Sequence, residues 1–269
     1  MFARAFEGLK QTALAWEVRR LRQVVRGETP LQIEERRFYA SVIPRGTTDG
    51  WIVDVGGNTG SKAEIFRHLA GRVLVIEPDP ASAETLRRRF RWRKVVTIRE
   101  CAVTDHTGSV VFYQFTPGSA YNTADPTWVA AMMDGSNHLR MTLTTPREVR
   151  VNAVTLSEIV AEYAPIKYVK IDVEGHEEQA LSTLDYPVPL ISMEFNLPQM
   201  FQALSACLER LEQLGQYEFN AVISEPPRRF ELEWLSRSDV VTAIRTRGWG
   251  YAEVYARLRT TNDVISTQT

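Results

Sequence analysis

The 269-residue sequence contains few cysteines and almost no net charge. Its two cysteines, Cys101 and Cys207, form no metal-ligand spacing and cannot make a disulfide framework. This excludes the small disulfide-rich secreted classes and suits a reducing compartment, so we predict a cytoplasmic protein. The formal net charge of −1 argues against a dedicated nucleic-acid-binding protein, which usually carries a strong basic excess.

Long apolar runs are absent as well. No uninterrupted apolar stretch approaches the roughly 18 residues that a transmembrane helix needs. Glu7 and Lys10 interrupt the apolar residues near the start of the chain, so no secretory signal peptide is predicted. Hydrophobic residues make up 44% of the sequence and charged residues 24%, which is ordinary for a folded globular protein. The length suits one large α/β domain with attachments or two small domains.

The first part of the chain has the periodicity of helices. Apolar residues recur at helical spacing over 2–26, and a second helix is predicted over Leu31–Ile43. We assign residues 1–50 to an N-terminal helical cap or dimerisation segment and residues 51–269 to the main domain. The first helix can cap that domain, form a homo-oligomer contact, or lie on a membrane surface.

The stretch Trp51–Gly60, WIVDVGGNTG, predicts a buried strand, a tight turn and the start of a helix. Apolar residues run into Asp54, and the turn consists of Gly56, Gly57, Asn58, Thr59 and Gly60. Glycine and asparagine tolerate left-handed backbone conformations, and glycine lets a ligand approach the backbone. Because a helix N-terminus presents unpaired N–H groups and a positive partial charge, the turn suits a carboxylate or a phosphate.

A second predicted strand, Arg72–Glu77, ends in an acid that lies 17 residues beyond Gly60. A carboxylate in this position accepts hydrogen bonds from a ribose diol in nucleotide-binding folds. The sequence D-V-G-G-N-T-G departs from the G-x-G-x-x-G pattern of dinucleotide sites, which disfavours NAD and favours S-adenosylmethionine. The alternative is that the glycines form only a turn between strand and helix.

Strands and helices alternate along the rest of the chain, which predicts a mainly parallel, doubly wound sheet. Ser109–Phe115 and Glu148–Val154 are expected to pair as a hairpin. Between them we place an inserted loop at about 116–147, a lid or a mobile segment. Candidate substrate contacts in this loop are Tyr121, Asn122 and Trp128, with packing of the loop against its own domain as the alternative.

Several ionisable residues follow the predicted strands, at the carboxyl ends where ligands of such sheets bind. Those of the later strands are Asp172, Glu174, His176 and Glu194. Carboxylates with a histidine can perform acid–base chemistry or hold a hard cation, so a divalent metal is left open. The structural alternative is that Glu174 complements a helix dipole and that Lys170 only neutralises Asp172.

Six segments of the chain, in order, resemble the FkbM family of S-adenosylmethionine-dependent methyltransferases: DVGGNTG, VIEPDP, ECAVTDHTGSVVF, VTLSEIV, KIDVEGHE and ISMEFN. The resemblance covers about Glu35–Arg257, and KIDVEGHE is its most specific piece. It implies the class I methyltransferase (Rossmann-like) fold, a doubly wound, mostly parallel sheet of seven strands with the last strand antiparallel. In this chain the sheet would carry an N-terminal helical extension and an inserted loop or hairpin.

The resemblance also implies roles for individual residues. Cofactor contacts would come from Asp54, Gly56, Gly57, Asn58, Thr59, Gly60, Glu77, Pro78, Cys101, Ala102 and Asp172. Glu77 would bind the ribose, Ala102 would border the adenine, and Asp172 would lie near the transferred methyl group. The implied catalytic residues are His176, Asp172, Glu174 and Glu194. Gly57 departs from the family pattern, which usually has alanine there.

The implied reaction is in-line transfer of a methyl group from a sulfonium, which needs an aligned nucleophile and, for a hydroxyl, a proton acceptor. We expect O-methylation of a sugar, glycan or natural-product hydroxyl, with S-adenosylhomocysteine as product. His176 or Asp172 would be the base, and Glu174 and Glu194 would orient the acceptor.

Several alternatives remain at this point. They are N-methylation of a small molecule, methylation of nucleic acid, an NAD-dependent oxidoreductase, and a non-catalytic nucleotide-binding module. Neutral net charge disfavours a nucleic-acid partner, and a homo-oligomer through the N-terminal helices stays open.

Overall fold

The computed structural model of the chain describes residues 29–44, 50–137, 139–197, 199–223 and 228–259. The helix predicted over 2–26 lies outside the described residues, and so does any oligomer contact that it would make. Within the described residues the chain forms ten strands and eight helices. None of these helices is both long enough and apolar enough to cross a bilayer.

The strands are β1 Trp51–Val55, β2 Arg72–Ile76, β3 Val96–Arg99, β4 Ala102–Val103, β5 Gly108–Gln114, β6 Arg147–Val154, β7 Ile166–Ile171, β8 Leu190–Asn196, β9 Tyr217–Val222 and β10 Tyr251–Leu258. The helices are α1 Pro30–Val42, α2 Ser61–Phe66, α3 Pro80–Phe90, α4 Pro126–Asp134, α5 Leu156–Tyr163, α6 Glu177–Ser182, α7 Phe201–Leu214 and α8 Arg237–Arg247.

Seven strands form one sheet in the order β3-β2-β1-β7-β8-β10-β9. β1 pairs in parallel with β2 and β7, whereas β10 runs antiparallel to both β8 and β9. The predicted class I methyltransferase sheet, with its last strand antiparallel, is therefore confirmed. The order of the strands reverses between β1 and β7, and this switch point is where a doubly wound sheet opens a crevice for a ligand.

The central strands are apolar because both faces of the sheet are covered. All residues of β7 are buried, as are four of the five in β1, which is typical of parallel strands between layers of helices. On one face, Leu156 of α5 and Leu204 of α7 belong to the core. On the other face, α1, α2 and α3 supply Phe38, Phe66 and Leu86.

Helix α1 is fixed to the sheet by its local sequence and by aromatic packing. Thr29 caps it in a reciprocal capping box with Gln32, and Pro30 occupies its first position. Tyr39 is fully buried, with its ring 4.9 Å from Phe66 in an edge-on arrangement. The helix therefore packs directly on the main domain, close behind β1.

A second, three-stranded sheet has the order β4-β6-β5. The expected hairpin pairing is confirmed, since β5 runs antiparallel to β6 from Gly108↔Ala153 to Gln114↔Arg147. The short strand β4 follows the main-sheet strand β3 after a two-residue step and pairs in parallel with β6. The small sheet therefore stands beside the carboxyl end of β3.

The interpretation of 116–147 as a loop is wrong in part, because the segment contains α4. Asp125 caps this helix by accepting a hydrogen bond from the Trp128 N–H, and Pro126 takes the first helical position. Trp128, Val129 and Met132 are buried. The prolines and acids that suggested a loop are here the start signal of a helix.

Helix α2 is shorter than predicted. The sequence pattern extends it to Gly71, whereas the helix ends at Phe66. The following N–H groups of His68 and Leu69 donate to Ile65 and Phe66, three residues back, so the last turn tightens and stops.

Candidate active site

The turn after β1 is held in a conformation that its glycines and asparagine permit. Gly56, Asn58 and Gly60 have positive φ angles of 82°, 44° and 79°. A Cβ atom on Gly56 would lie 1.7 Å from the carbonyl oxygen of Asp172. The missing side chain thus lets the end of β1 approach the end of β7, across the switch point of the sheet.

Glu77, directly after β2, receives the backbone of this turn. Its Oε2 accepts a hydrogen bond from the Asn58 N–H at 2.7 Å, and its Oε1 accepts one from the Asp79 N–H at 2.8 Å. Burial raises the pKa of Glu77 to about 7, although the two N–H donors act to lower it. A carboxylate has about four acceptor positions, so Glu77 can still receive the hydroxyls of a ribose.

These ends of strands open into one cleft, which is lined by Val55, Gly56, Asn58, Ile76, Glu77, Pro78, Cys101, Ala102, Val103, Phe112, Ser119, Ala120, Asn122, Ala124, Asp172, Val173, Glu174 and His176. Ten of the residues predicted for the site are among them. They are Gly56, Asn58, Glu77, Pro78, Cys101, Ala102, Asn122, Asp172, Glu174 and His176. The carboxyl ends of β1, β2, β3 and β7 therefore meet at one cleft, whereas Glu194 of β8, which was expected there as well, does not line it.

Seven predicted site residues do not line the cleft: Asp54, Gly57, Thr59, Gly60, Glu194, Tyr121 and Trp128. Gly60 begins α2, and a Cβ there would lie 2.6 Å from Phe90. The carbonyl of Thr59 accepts a hydrogen bond from Arg89 at 2.9 Å. These two residues fix the turn from behind.

Asp54 is 1% exposed and lies behind the same turn. Its Oδ2 has no hydrogen-bond partner among the described residues. Burial raises the pKa of Asp54 to about 6, and Lys170 opposes the rise. A buried carboxylate without donors is costly unless a positive charge is near it.

One end of the cleft is apolar. Its walls come from Ile76, Pro78, Ala102, Val103, Phe112 and Ala124. Cys101 is buried there, and burial raises the pKa of its thiol. The slot lies beyond Glu77 on the β3 side, where a flat ring attached to a ribose at Glu77 would extend.

His176 stands next to this apolar end. The residue precedes α6 and is 8% exposed. Its Nε2 lies 3.1 Å from Thr104 Oγ1, and the Thr104 hydroxyl donates to Asp105 Oδ1 at 3.1 Å. Its Nδ1 has no hydrogen-bond partner among the described residues. Burial lowers the pKa of His176, so the ring is neutral near pH 7.

Behind the cleft, next to Asp172, lies the buried ammonium of Lys170. Its Nζ donates to Asp172 Oδ2 at 2.6 Å and to Glu194 Oε1 at 3.0 Å. Glu194 Oε2 accepts a further hydrogen bond from the Tyr251 hydroxyl at 2.9 Å. Burial acts to raise the pKa of Glu194, but Lys170 and Arg228 prevail and lower it to about 2.

Asp172 and Glu174 have raised pKa values. For Asp172, burial is the main cause and Glu194 adds to it, while Lys170 opposes both. For Glu174, burial and the neighbouring carboxylates raise the pKa well above its usual range. The Glu174 backbone has a positive φ of 53°, and its carbonyl accepts a hydrogen bond from Thr123 Oγ1 at 2.7 Å. A non-glycine residue in this conformation is held there by its surroundings.

The comparisons with known proteins agree with this geometry. Residues 54–220 match the family described as the methyltransferase FkbM domain. The chain belongs to the FkbM methyltransferase family. It is therefore an S-adenosylmethionine-dependent methyltransferase, with S-adenosylhomocysteine as its product.

Solved structures of similar fold are distant from this methyltransferase. A precorrin-6y C5,15-methyltransferase from Geobacter metallireducens has 14% identity and a TM-score of 0.42, over 83% of this chain and 86% of its own. A TehB-like S-adenosylmethionine-dependent methyltransferase from Corynebacterium glutamicum has 12% identity and a TM-score of 0.45, over 91% and 97%. A search of curated proteins finds no match.

The site fits the cofactor on charge as well as on shape. At the strand ends Asp54, Asp172 and Glu194 act on the buried ammonium of Lys170, and the ammonium of Lys62 also acts on Asp54. The cofactor brings a sulfonium and an ammonium, which complement the acids, and a carboxylate, which suits the N–H groups of the turn after β1. When bound, it supplies the methyl group.

Metal ligation finds no support in the part of the chain that the structure describes. No group of three or more His, Cys, Asp or Glu side chains is arranged there to hold a metal ion. The position between Asp172 and Glu194 that a cation would take is filled by the Lys170 ammonium.

Sequence reasoning missed two residues that shape the site of the methyltransferase. Asp79 Oδ2 accepts hydrogen bonds from the Gly118 N–H and the Asn122 side chain, at 2.9 and 2.7 Å. Tyr251 donates to Glu194 from the antiparallel strand β10. The Asp79-Pro80 pair predicts only a helix start. These hydrogen-bond partners of Asp79 and of Tyr251 lie far from them in the sequence, so no local pattern predicts these contacts.

The three loop residues expected to meet substrate lie in different settings. Asn122 lines the cleft, yet its Nδ2 already donates to Asp79 and Thr116, and its Oδ1 accepts from the Phe115 N–H. The Tyr121 hydroxyl lies 3.7 Å from the sulfur of Met141. Trp128 is 5% exposed and packs beside Gly175. Asn122 therefore serves to fasten the loop.

Proposed function

We propose that this methyltransferase transfers the methyl group to a hydroxyl of a polyol, such as a sugar, a glycan or a hydroxylated natural product. The observation that supports the proposal is the position of Asp172, whose backbone closes on Gly56 and whose carboxylate lines the cleft beside Lys170. A hydroxyl nucleophile needs a proton acceptor at this place, and Asp172 supplies one.

Asp172 is better suited than His176 to act as the base. Its pKa is raised, which strengthens it as a proton acceptor, while the 2.6 Å bond from Lys170 keeps the carboxylate ionised. His176 has one ring nitrogen engaged with Thr104 and stands at the apolar end of the cleft. We therefore assign proton removal to Asp172.

Glu174 would orient the acceptor, because it lines the cleft beside Asp172. Burial and the neighbouring carboxylates raise the pKa of Glu174 well above its usual range. Glu194 does not line the cleft; it would hold Lys170, and through it Asp172, in place.

N-methylation is the second candidate, and the charge of the site disfavours it. Clustered carboxylates raise the pKa of a bound amine and keep its lone pair protonated, which prevents attack on the sulfonium. A hydroxyl does not suffer this loss. Burial of acids costs free energy, and a protein that only binds a nucleotide would gain nothing from the buried acids at the acceptor side.

The experiment is a screen of cell extract fractions with the purified protein and S-adenosylmethionine labelled in its methyl group. We expect label in a methyl ether that survives hydrolysis of the acceptor to monosaccharides or aglycone. Label on nitrogen would contradict the proposal.

The base is tested by Asp172→Asn on the acceptor found in this way. We expect kcat to fall by about 10²–10⁴, the usual contribution of a general base, while S-adenosylhomocysteine affinity by calorimetry stays within roughly tenfold. Glu178→Gln, outside the cleft lining, is the control and should leave both values unchanged. An unchanged kcat in Asp172→Asn would rule out this base.

A further inference from the structure

At the apolar end of the cleft, His176 is a polar side chain that the proposed reaction does not use. His176 is among the residues that line the cleft and is 8% exposed. The wall around it is apolar, with Val103 and Phe112 among its members. A polar atom kept in such surroundings without a partner is costly, so it calls for a ligand that completes its hydrogen bonding.

The hydrogen bonds around His176 determine which of its nitrogens carries the proton. The Thr104 hydroxyl has one hydrogen, and it donates this hydrogen to the carboxylate of Asp105 at 3.1 Å. Thr104 Oγ1 can then only accept from the ring, so Nε2 carries the proton at the 3.1 Å contact. In a neutral imidazole this leaves Nδ1 with a free lone pair, and Nδ1 has no partner among the described residues.

Adenine offers the matching group. The ring would enter the apolar slot beyond Glu77, and its exocyclic amine is a donor in need of an acceptor. From this geometry we infer that His176 Nδ1 accepts a hydrogen bond from the amino group of the cofactor's adenine, and that His176 selects adenine over 6-oxopurines. The inference concerns the cofactor and rests only on the methyltransferase assignment within the proposed function. It replaces the role of base expected for His176 from the sequence.

A comparison of two ligands by calorimetry tests this assignment: S-adenosylhomocysteine and S-inosylhomocysteine, which has an oxygen in place of the amine. In the wild-type protein that oxygen would face the Nδ1 lone pair, acceptor against acceptor. We expect the adenosyl ligand to bind roughly 10- to 100-fold more tightly, which is the usual effect of an unpaired buried polar group. Equal affinity in the wild-type protein would overturn the inference without any variant.

Three variants locate the preference at His176. His176→Phe keeps a ring but has no acceptor, and we expect the affinity ratio to fall toward one. His176→Asn can place its amide oxygen near the position of Nδ1 and should retain part of the ratio. His106→Phe is the matched control, because His106 also contacts Asp105, at 2.7 Å, but does not line the cleft.

A full ratio in His176→Phe would show that another group reads the amine. If His176→Phe does not fold, Thr104→Val tests the same point, since it removes the acceptor that fixes the ring's proton on Nε2. Failure of the proposed reaction would look different, namely an intact preference for the adenosyl ligand with no methyl ether formed.

Discussion

Gly57 has no space for a side chain, because a residue of β2 lies directly against it. A Cβ on Gly57 would lie 2.1 Å from Cγ1 of Val75 on β2. The Gly57 backbone has no positive φ, so alanine is excluded by space and not by conformation.

We expect Gly57→Ala to lower the free energy of unfolding by about 1–3 kcal/mol through overpacking. Val75→Ala removes the obstructing methyl group, so the double variant should lose less stability than the sum of the two single variants, by at least about 1 kcal/mol. Urea unfolding of the four proteins measures this coupling. Strictly additive losses would show that Val75 is not the obstacle.

Lys170 occupies the position between Asp172 and Glu194 that a cation would otherwise take. Its ammonium bonds both Asp172 and Glu194, and these carboxylates and Asp54 hold its pKa well above the usual value even though burial opposes the shift. We expect methyl transfer to be the same with EDTA as with added Mg²⁺. A rate that depends on Mg²⁺ and is abolished by EDTA would refute this role of Lys170.

The matching variant is Lys170→Met, which leaves two buried carboxylates without their cation. Removal of one partner of a buried ion pair costs roughly 3–5 kcal/mol. Circular dichroism in urea should show this loss near neutral pH and a smaller loss at lower pH, because without the ammonium the two buried carboxylates take up protons more readily. An equal loss at both pH values would contradict the electrostatic explanation.

Among the elements, the segment between β5 and α4 is fastened across the cleft by side chains. Asp79 caps α3 through the Ala81 N–H and also holds Gly118 and Asn122. At its far end, Thr123 donates to the carbonyl of Glu174. Because Ser119 and Ala120 of this segment line the cleft, its position determines the shape of the cofactor site.

We expect Asn122→Ala to release this segment. The amide of Phe115 loses its acceptor, and its hydrogen exchange should become faster by roughly 10- to 100-fold, the value of one to two hydrogen bonds. S-adenosylhomocysteine affinity should fall in parallel, with the sheet's exchange rates unchanged. Mass spectrometry of exchanged fragments provides the measurement.

Asn137→Ala is the control for this variant, because Asn137 fastens Ala131 and Met141 in the same manner but does not line the cleft. It should accelerate exchange around its own contacts and leave cofactor affinity unchanged. Equal effects of the two variants on affinity would mean that general loosening, and not the fastening at Asp79, controls the site.

The elements that the sequence predicts well are those with local signals. Thr155 and Glu158 form a capping box at the start of α5, a pattern visible in the local sequence, and the β5–β6 pairing follows from alternation. Helix α4 was missed because Asp125 and Pro126 suit both a loop and a helix start, and burial of Trp128 decides between them. The local sequence does not predict that Trp128 is buried.

The site follows the same rule. The turn, Glu77, Asp172 and His176 could be placed in one cleft because the carboxyl ends of parallel strands meet. The tautomer of His176 depends on Thr104, which is 72 residues away, and the fastening by Asp79 depends on Asn122, 43 residues away. Such contacts are set by tertiary packing, so the sequence alone assigned His176 to the acceptor side and Asn122 to the substrate.

At the scale of the whole molecule, ion pairs link helix α1 to the sheet and to α2. Arg228 pairs with Glu253 of β10 and, at 3.0 Å, with Glu35 of α1. Lys62 of α2 also pairs with Glu35. Lys62 acts to lower the pKa of Asp54 and Arg228 acts to lower that of Glu194, so α1 and the site share one electrostatic environment.

That environment makes the stability of the ligand-free protein depend on pH. Burial raises the pKa values of Asp54, Glu77 and Glu177 to about 6, 7 and 8, from ordinary values of 3.8, 4.5 and 4.5. Between the ordinary and the raised values, the folded protein holds protons that the unfolded chain has lost. Stability therefore falls as the pH rises from about 4 to about 8.

The lowered pKa of His176 makes the stability rise with pH below the ordinary value of 6.5. This is the effect of one group, against the opposite effect of Asp54, Glu77 and Glu177. The low pKa of Glu194, about 2, contributes stability that is lost only when the pH falls below about 4.5, outside this range. We thus expect the urea midpoint of the ligand-free protein to decrease between pH 5 and pH 8.

S-adenosylmethionine should weaken this decrease, because its ribose hydroxyls donate to Glu77 and its net positive charge favours the ionised forms of the acids that line the cleft. Binding then releases protons, and the affinity rises from pH 5.5 to pH 7.5. Calorimetry at pH 6.5 in buffers of different ionisation enthalpy measures the released protons directly. Proton uptake on binding, or an affinity that falls over this range, would show that the buried acids do not face the cofactor's positive charges.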